Sequence, residues 1–531
     1  MKPALLYTAL TVLITMFGSL TSAQDVSTGP VLIDQSVLPS EYMRGIGSNE
    51  YKPTSLRIVG LRSSRSGITL EAILLDKNGN ALGTVENQGV WSANVNCKNA
   101  PLGEPVIPTV AQLTWRSSSP TSRYAVLLDH SITSHDITKE VLKGLYNLLP
   151  GIPGQDSIEI ATFDHTTFEV TPLTTFSQAA TACNEIKLPN PSGIPASLTA
   201  MMSSLRVFDG KPANRNTLIV VTASNDMASL LYSSDDIVNK AKALGVRIVV
   251  VKVGHTARGY LYRFLAASTG GRMYSLEFDD IQNIAPIIRE VVYATNHHLE
   301  AFVNSPVTNY QCNDLLLRLA WTSDDGVTLA DTILLPLTTP RYANTTATVA
   351  AFQDTTDRGL HEYYPILAVL ADDLVSNPDK RIRLVGHVSP DIETDAFKRG
   401  LERADHVAGF LKANGVRDNQ IETYSDGATK PLYYLQLDGT QRLLNNRVEA
   451  SFILPSDQPY TIHVEQVVSE QLAATSVKKW EERGYKAYFE PAVVKHQPRY
   501  DVILWGYSTK DDAKSAAKLL KKFGVSEYMI R

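Results

Sequence analysis

The chain has 531 residues, 44% hydrophobic and 20% charged, which at roughly 150 residues per domain predicts three or four domains with ordinary globular cores. Its formal net charge of -5 and pI near 6.2 give no bulk attraction to nucleic acid or anionic lipid, and no local basic patch makes up for that. Three Cys without a Cys-x-x-Cys pair, and no His-Glu-x-x-His, argue against a structural zinc; no cofactor or metal is expected.

Residues 1–23 read as a cleavable secretory signal. Lys2 precedes a mostly apolar stretch from Ala4 to Leu20, and Thr21-Ser22-Ala23 precedes Gln24. The apolar part is 17 residues, at the bottom of the spanning range, and no basic stop-transfer cluster follows it. No Cys stands at the cleavage point to carry a lipid, so the expectation is an exported chain with no membrane span after cleavage. In an oxidising compartment Cys97 and Cys312, in the two stretches that flank the central region, are the candidate disulfide pair. An odd count leaves one thiol over, and the sequence alone does not fix the pairing.

Residues 24–122 alternate apolar and polar positions between turn residues, as in Leu56-Arg-Ile-Val59, Ile68-Thr-Leu-Glu-Ala72 and Val110-Ala-Gln-Leu-Thr-Trp115. The same texture returns over 302–350, at Leu315-Leu-Leu-Arg-Leu-Ala-Trp321 and Ala330–Leu337. Period-two alternation predicts one antiparallel β-sandwich, split by an inserted domain.

The insert, 123–301, alternates strands and helices. Strands are predicted at Tyr124–Asp129, Ser157–Phe163, Thr217–Thr222 and Val246–Val253. Helices are predicted at Ile137–Leu149, Pro195–Arg206, Ser234–Ala243, Ala257–Ala267 and Asp279–Tyr293. Leu218-Ile-Val-Val221 and Ile248-Val-Val-Val-Lys252 do not alternate, which fits strands buried on both faces of a doubly wound α/β sheet. Asp129-His-Ser131-Ile-Thr133 follows the first strand. On these residues the insert resembles a von Willebrand factor A domain. In that family a Mg²⁺ site takes a carboxylate and two hydroxyls from Asp-x-Ser-x-Ser, a Thr from a second loop and an Asp from a third. Asp129, Ser131 and Thr133 are its remnant here. Gly193-Ile194-Pro195 replaces Gly-Thr-Pro, Thr222-Ala223-Ser224 replaces Thr-Asp-Gly, and Asp226 offers a carboxylate three residues late. A degenerate, metal-free site is expected, in which Asp129 and its hydroxyls cap the following backbone. A catalytic reading of Asp129, His130 and Ser131 fails, because triads assemble from separate loops and no Gly-x-Ser-x-Gly elbow occurs.

Residues 351–455 run helix (Tyr363–Val375), Arg381-Ile-Arg-Leu-Val-Gly-His387, helix (Asp395–Asn414), Ile421–Tyr424, a long turn, then Asn445-Asn446-Arg447-Val448-Glu449. This order, with Gly386-His387, Arg403-Ala404 and Asn446-Arg447-Val448-Glu449, resembles an α+β OmpA-like domain, a family that grips the diaminopimelate side of the peptidoglycan stem peptide. Holding an ammonium beside a carboxylate calls for an Asp and an Arg. Arg403 is kept, Ser389 stands where the family has Asp, and Asp391 or Asp395 offers a replacement. With Arg447 these residues form the expected stem-peptide site. The bland alternative pairs Arg403 and Arg447 with Glu402 or Glu449 at the surface.

The last seventy residues repeat at an offset of forty: Tyr460 and Tyr500, Ala473 and Ala513, Gly484 and Gly524, Tyr488 and Tyr528. Each half reads strand, helix, strand. With Trp505-Gly506-Tyr507-Ser508 and the Gly484-Tyr485 and Gly524-Val525 helix exits, 458–531 resembles a βαββαβ SPOR domain, whose family binds glycan strands. That resemblance implies a glycan-binding sheet face with His463, Tyr485, Tyr488, Ile503 and Trp505 as candidates, aromatic rings meeting the C–H faces of sugars. Trp480, matched by Leu520, is expected in the core.

Together these features predict a non-catalytic periplasmic scaffold, associated with the cell wall through stem peptide and glycan strand. An unknown protein partner is expected at the von Willebrand-like insert. The division setting is implied by the SPOR resemblance alone. The rival readings are a metal-dependent adhesin or surface receptor anchored to the wall, and a wall hydrolase.

Overall fold

The computed structural model describes residues 53–531 except 78–80, 83–88, 99–109, 118–120, 132–133, 153–155, 190–193, 211–214, 255–258, 338–345, 354–362, 392–394, 437–438, 454–459 and 495–496. The expected signal at 1–23, Thr133 and Gly193 therefore lie outside the described residues.

Alternating apolar residues place β1 (Ser55–Ser63), β2 (Ile68–Leu75), β3 (Ala81–Leu82), β4 (Val90–Cys97) and β5 (Val110–Ser117) ahead of the insert. The insert then supplies β6 (Arg123–Asp129), α1 (His135–Leu148), β7 (Ser157–Phe163), β8 (Thr167–Thr175), α2 (Phe176–Glu185), α3 (Ser197–Leu205), β9 (Asn216–Thr222), α4 (Ser234–Ala243), β10 (Val246–Val253), α5 (Gly259–Ser268), β11 (Met273–Leu276) and α6 (Ile284–Asn296). Its six-stranded sheet has the order β11-β10-β9-β6-β7-β8. All pairings are parallel except that of β8, which runs antiparallel to β7. Ile137, Val141 and Leu145 of α1 cover one face with α2 and α6. Leu198 and Met201 of α3, Ile237 of α4 and Leu265 of α5 cover the other. Two covered faces explain the unbroken apolar runs of β9 and β10.

The chain returns to the sandwich through β12 (His297–Val303), β13 (Asp314–Thr322) and β14 (Thr328–Pro336). One sheet is β1-β2-β12-β5 with β3 on β2, and the other is β14-β13-β4. Leu56, Ile58 and Leu70 from the first sheet meet Leu317, Trp321 and Ile333 from the second in one core. The strand His297–Val303 carries the sandwich back to residue 297, inside the stretch expected for the insert. No loop marks the change, since α6 ends at Asn296 and β12 begins at the next residue. Cys97 and Cys312 form the disulfide and Cys183 is free and buried. A buried ion pair ties the insert to the sandwich: Arg272 Nη2 lies 3.4 Å from Asp331 Oδ1, and Asp331 Oδ2 accepts the Ile58 N–H at 2.8 Å.

The third domain begins one strand earlier than expected. β15 (Ala347–Ala351) pairs with β18 (Arg447–Ile453), so 347–350 belong to this sheet and not to the sandwich. Between them come α7 (Tyr364–Ser376), β16 (Arg381–His387), α8 (Ala396–Ala413), β17 (Ile421–Gly427) and α9 (Gly439–Asn445), and the sheet order is β15-β18-β16-β17. At Gly386 on β16 an added Cβ would lie 1.7 Å from the Gly400 carbonyl oxygen, so the glycine lets α8 press directly onto the strand.

The terminal domain comprises β19 (Tyr460–Val467), α10 (Glu470–Glu481), β20 (Lys486–Val494), β21 (Gln497–Tyr507), α11 (Lys510–Leu520) and β22 (Met529–Ile530), in sheet order β20-β21-β19-β22. The forty-residue repeat is visible in the caps. Ser469 Oγ accepts from Leu472 N at 3.3 Å, and its equivalent Thr509 Oγ1 accepts from Asp512 N at 3.1 Å. Gly484 and Gly524 leave the helices at φ 85° and 87°, a left-handed exit that favours glycine. Trp480 and Leu520 are both buried in the helix-side core.

Candidate functional site

Three surfaces carry the residues singled out above. The first is at the strand ends of the insert. Asp129 is buried, and its Oδ1 accepts from the Ser131 amide at 3.0 Å and the Ser131 hydroxyl at 2.6 Å. Its Oδ2 accepts from Thr222 Oγ1 at 2.7 Å, so both carboxylate oxygens bond to protein donors. Ser224 Oγ lies 3.3 Å from Ser131 Oγ and 3.1 Å from Ser134 Oγ, extending the hydroxyl cluster. Asp226 is spent elsewhere: its Oδ1 accepts from Ser229 Oγ at 2.7 Å and from Leu198 N at 3.3 Å, in the first turn of α3.

Lys252, at the end of an apolar run in the sequence, stands near this cluster. It is 2% exposed and stands in register with Thr222 on the next strand. Asp129 and Thr222 end adjacent strands, and Lys252 is the last residue but one of the third, all on one face of the sheet. Burial pushes the Lys252 pKa down to about 8, and the Asp129 carboxylate works against that fall. The Lys252 Nζ donates to the Val253 carbonyl at 3.4 Å, and the Asp129 carboxylate acts on it through charge. His130 Nε2 lies 2.9 Å from the Pro189 carbonyl oxygen, and the Ser131 hydroxyl donates to Asp129, so Asp129, His130 and Ser131 do not form a triad relay.

The strand-end face is also covered. Ile194, Ala196 and Ala228 of the insert share a core with Val349, Tyr363, Leu367 and Leu370 of the third domain. The Thr348 amide donates to the Met227 carbonyl at 2.6 Å, and the His165 and Tyr363 rings lie 5.1 Å apart.

The second surface surrounds Arg403. Arg403 is 6% exposed, and its Nη1 donates to the His387 carbonyl at 2.8 Å and to Asn446 Oδ1 at 2.9 Å. Asn446 Oδ1 also accepts the Ser389 amide at 2.8 Å, so one amide oxygen brings Arg403 and Ser389 together. The Ser389 hydroxyl donates to Gln436 Oε1, from the turn that follows β17. The other expected members go elsewhere. Asp391 is exposed and pairs with Arg442 Nη2 at 3.1 Å. Asp395 is exposed and precedes α8 at φ 58° with no side-chain capping bond. Arg447 is buried, donating from Nε to Glu449 Oε1 at 2.7 Å and from Nη2 to the Lys430 carbonyl at 3.2 Å. Burial raises the Glu449 pKa, but Arg447 and His387 outweigh it and hold the carboxyl far below its ordinary range. The surface-pair alternative is therefore corrected for Arg403, which is held by buried protein acceptors, while the Arg447–Glu449 pair forms within the fold.

The third surface is the side of the terminal sheet opposite its helices. Tyr488 is 36% exposed and Trp505 42%, and Lys486 Nζ lies 4.8 Å from the Trp505 ring centroid. His463 Nδ1 lies 3.4 Å from Asp501 Oδ2 on the neighbouring strand. Two expected members do not line an open face. Tyr485 packs on the helix side, 5.6 Å from Trp480 and 6.3 Å from Phe523 between centroids, because it precedes β20 as the chain leaves α10. Ile503 does lie on the side opposite the helices but is 1% exposed, for there the third domain meets the sheet. Lys430 Nζ is 2.6 Å from Glu490 Oε2, the Val493 amide donates to the Thr429 carbonyl at 2.8 Å, and Arg531 pairs with Asp426.

Among the described residues a fourth cluster, Glu71, His298 and Glu300, has ligand atoms close enough for an ion. His298 Nε2 lies 3.8 Å from Glu71 Oε2 and 3.7 Å from Glu300 Oε1. Those same oxygens pair with Arg247 and Arg62, and Arg62 Nε is 3.2 Å from Glu71 Oε1. Guanidinium groups already balance both carboxylates, so the trio braces the junction of sandwich and insert.

Residues 456–531 match the SPOR domain family: the chain ends in a SPOR domain. No curated protein matches the chain. Among solved structures it is similar to the peptidoglycan-associated lipoprotein of Burkholderia pseudomallei, at 26% identity over 20% of this chain and 88% of that one, TM-score 0.19. It is similar to the C-terminal domain of Helicobacter pylori MotB, at 23% identity over 20% and 84%, TM-score 0.19. It is also similar to the conserved hypothetical protein BatB of Bacteroides thetaiotaomicron, at 16% identity over 32% and 98%, TM-score 0.25. The chain is a mixed α/β protein of several domains, and among its described residues no helix is long and apolar enough to cross a membrane.

Proposed function

We propose that this protein is a non-catalytic peptidoglycan-binding scaffold of the bacterial cell envelope, exported to the periplasm and held on the wall by its last two domains. The observation that carries this reading is the SPOR domain itself, with Trp505, Tyr488 and Lys486 exposed on the side of its sheet away from the helices. A sugar ring offers C–H faces to aromatic rings and hydroxyls to polar neighbours, and this strip presents both kinds of partner. Tyr485 and Ile503 are left out of the glycan site on grounds of packing.

The stem peptide falls to the third domain, at Ser389 and Arg403, with Asp391, Asp395 and Arg447 at its margins. Two modest sites on one chain act together through effective concentration, so each can be weak while the pair holds. The insert serves as a brace between sandwich and third domain. Recruitment of a protein partner would use its flanks, since its strand ends are packed against α7 and β15. The metal-dependent adhesin is disfavoured by the hydroxyl donors and the ammonium around Asp129.

Co-sedimentation of the mature protein with intact sacculi and with amidase-treated, stem-free glycan tests the reading. Pelleting with both assigns attachment to the terminal domain, and pelleting with intact sacculi alone assigns it to the region around Arg403. Failure to pellet with either overturns the proposal, and release of muropeptides would overturn the non-catalytic part of it.

A further inference from the structure

The turn after β17 touches both candidate wall-binding surfaces. Its first part, Asp426 to Lys430, lies against the open side of the terminal sheet. There Lys430 Nζ pairs with Glu490 at 2.6 Å, the Thr429 carbonyl accepts the Val493 amide at 2.8 Å, and Asp426 pairs with Arg531. Its far end reaches the other surface, where Gln436 accepts the Ser389 hydroxyl beside Arg403. Gln436 is held at φ 47°, one of two non-glycine residues with positive φ among the described residues. The middle is anchored by Arg447, which donates to the Lys430 carbonyl at 3.2 Å, and by Asn445, whose Oδ1 accepts the Tyr433 amide at 3.0 Å.

We propose that residues 426–436 form a single strap that covers part of both surfaces, so that a stem peptide drawing Ser389 away from Gln436 also loosens the cover beside the exposed Trp505–Tyr488 strip. The proposal rests on the wall-binding reading above. A wall strand carrying both sugar and peptide then meets two surfaces whose opening is shared. The two ligands open one strap from opposite ends, so each raises the affinity of the other by an equal factor. Free sugar polymer without stems meets a face open only at the Trp505–Tyr488 strip and binds weakly. The device would favour stem-bearing wall over stripped glycan.

Gln436→Ala in the full-length mature protein tests the strap without any ligand. The substitution removes a contact at one end, and the readout is hydrogen exchange of the Val493 amide at the other. Exchange about tenfold faster at Val493, with amides of β9 and β10 unchanged, is the expected result. Unchanged exchange at Val493 overturns the single strap. Lys430→Ala, which opens the sheet-side end directly, shows that the Val493 amide can report opening. Binding to stem-free glycan is then compared across wild type and both variants, and about tenfold tighter binding by each variant is expected. Equal binding by all three overturns masking while leaving the proposed function intact. Stem-free glycan bound by none of the three overturns the masking role and leaves wall attachment to the region around Arg403, whereas loss of binding to intact sacculi as well overturns the proposed function.

Discussion

Asp129 and Thr222, at the ends of adjacent parallel strands, share a hydrogen bond of 2.7 Å in which the threonine hydroxyl donates to the carboxylate. With Lys252 in register on the next strand, the carboxylate has a donor and a cation supplied by the fold. Burial costs the Lys252 ammonium more than Asp129 returns, so its pKa falls to about 8. Lys252→Met is therefore expected to leave stability at pH 7 unchanged or to raise it by up to about 3 kcal/mol, read as a shift in urea midpoint at constant slope. A loss of stability would show that the Asp129 carboxylate needs the ammonium. Millimolar Mg²⁺ should leave the wild-type melting temperature unchanged, since a ligand of the native state would raise it. A Mg²⁺-dependent rise abolished by Asp129→Ala would restore the adhesin reading.

Glu159 on β7 gives a pH dependence of opposite sign to that of a paired carboxylate. Burial, helped by Glu169, pushes its pKa from 4.5 to about 7. The folded state therefore holds the proton more tightly than the unfolded state. Its contribution is full below pH 4.5 and is lost as pH rises to about 7. That difference is worth about 3 kcal/mol at most, at about 1.4 kcal/mol per pH unit. Glu159→Gln should match wild type near pH 4 and be more stable above pH 7, by about 1–3 kcal/mol. Equal stability of the two proteins at pH 8 would show that Glu159 ionises normally in the fold.

What the sequence made legible follows from which signals are local. β7, α4 and β10 appear at their expected bounds because apolar runs and a Ser233 cap are read from neighbours in sequence. β8 and α2 were not expected: β8 is a Thr-rich edge strand with an irregular burial pattern, and α2 is ten residues long. Lys252 stood at the end of an apolar run, and only the pairing of β10 with β9 sets it beside Thr222. Tyr485 and Tyr488 are three residues apart and end on opposite sides of the terminal sheet. Where one tyrosine precedes the strand and the other lies within it, spacing cannot assign the side. The occupation of Ser389 by Gln436 joins residues 47 apart, beyond any local pattern.

Arg403 separates a structural from a recognition role. Arg403→Ala removes donors to the His387 carbonyl and Asn446, a buried loss of about 2 kcal/mol. If the guanidinium also meets the stem-peptide carboxylate, binding to stem-bearing fragments should fall at least tenfold at temperatures where the variant is fully folded. Binding to stem-free glycan supplies the internal control and should not fall. A variant that is merely less stable, with stem binding intact, would remove Arg403 from the site.

Ile503 and Trp505 lie two residues apart on the same strand and the same side of the sheet, yet one is 1% exposed and the other 42%. Their alanine variants should divide accordingly. Ile503→Ala leaves a cavity where the third domain meets the sheet and should cost about 2–4 kcal/mol, with glycan affinity changed little or raised by the loosened cover. Trp505→Ala loses the ring beneath Lys486 and should cost less than about 1 kcal/mol. Its effect should be on binding, where losing one ring–sugar contact worth about 1.4 kcal/mol weakens stem-free glycan retention about tenfold. Pelleting assays on the two variants at equal folded fraction distinguish these effects. If Trp505→Ala pelleted like wild type, the exposed aromatic strip would have no part in holding the sugar, and the glycan site would have to be sought on the helix side of the domain.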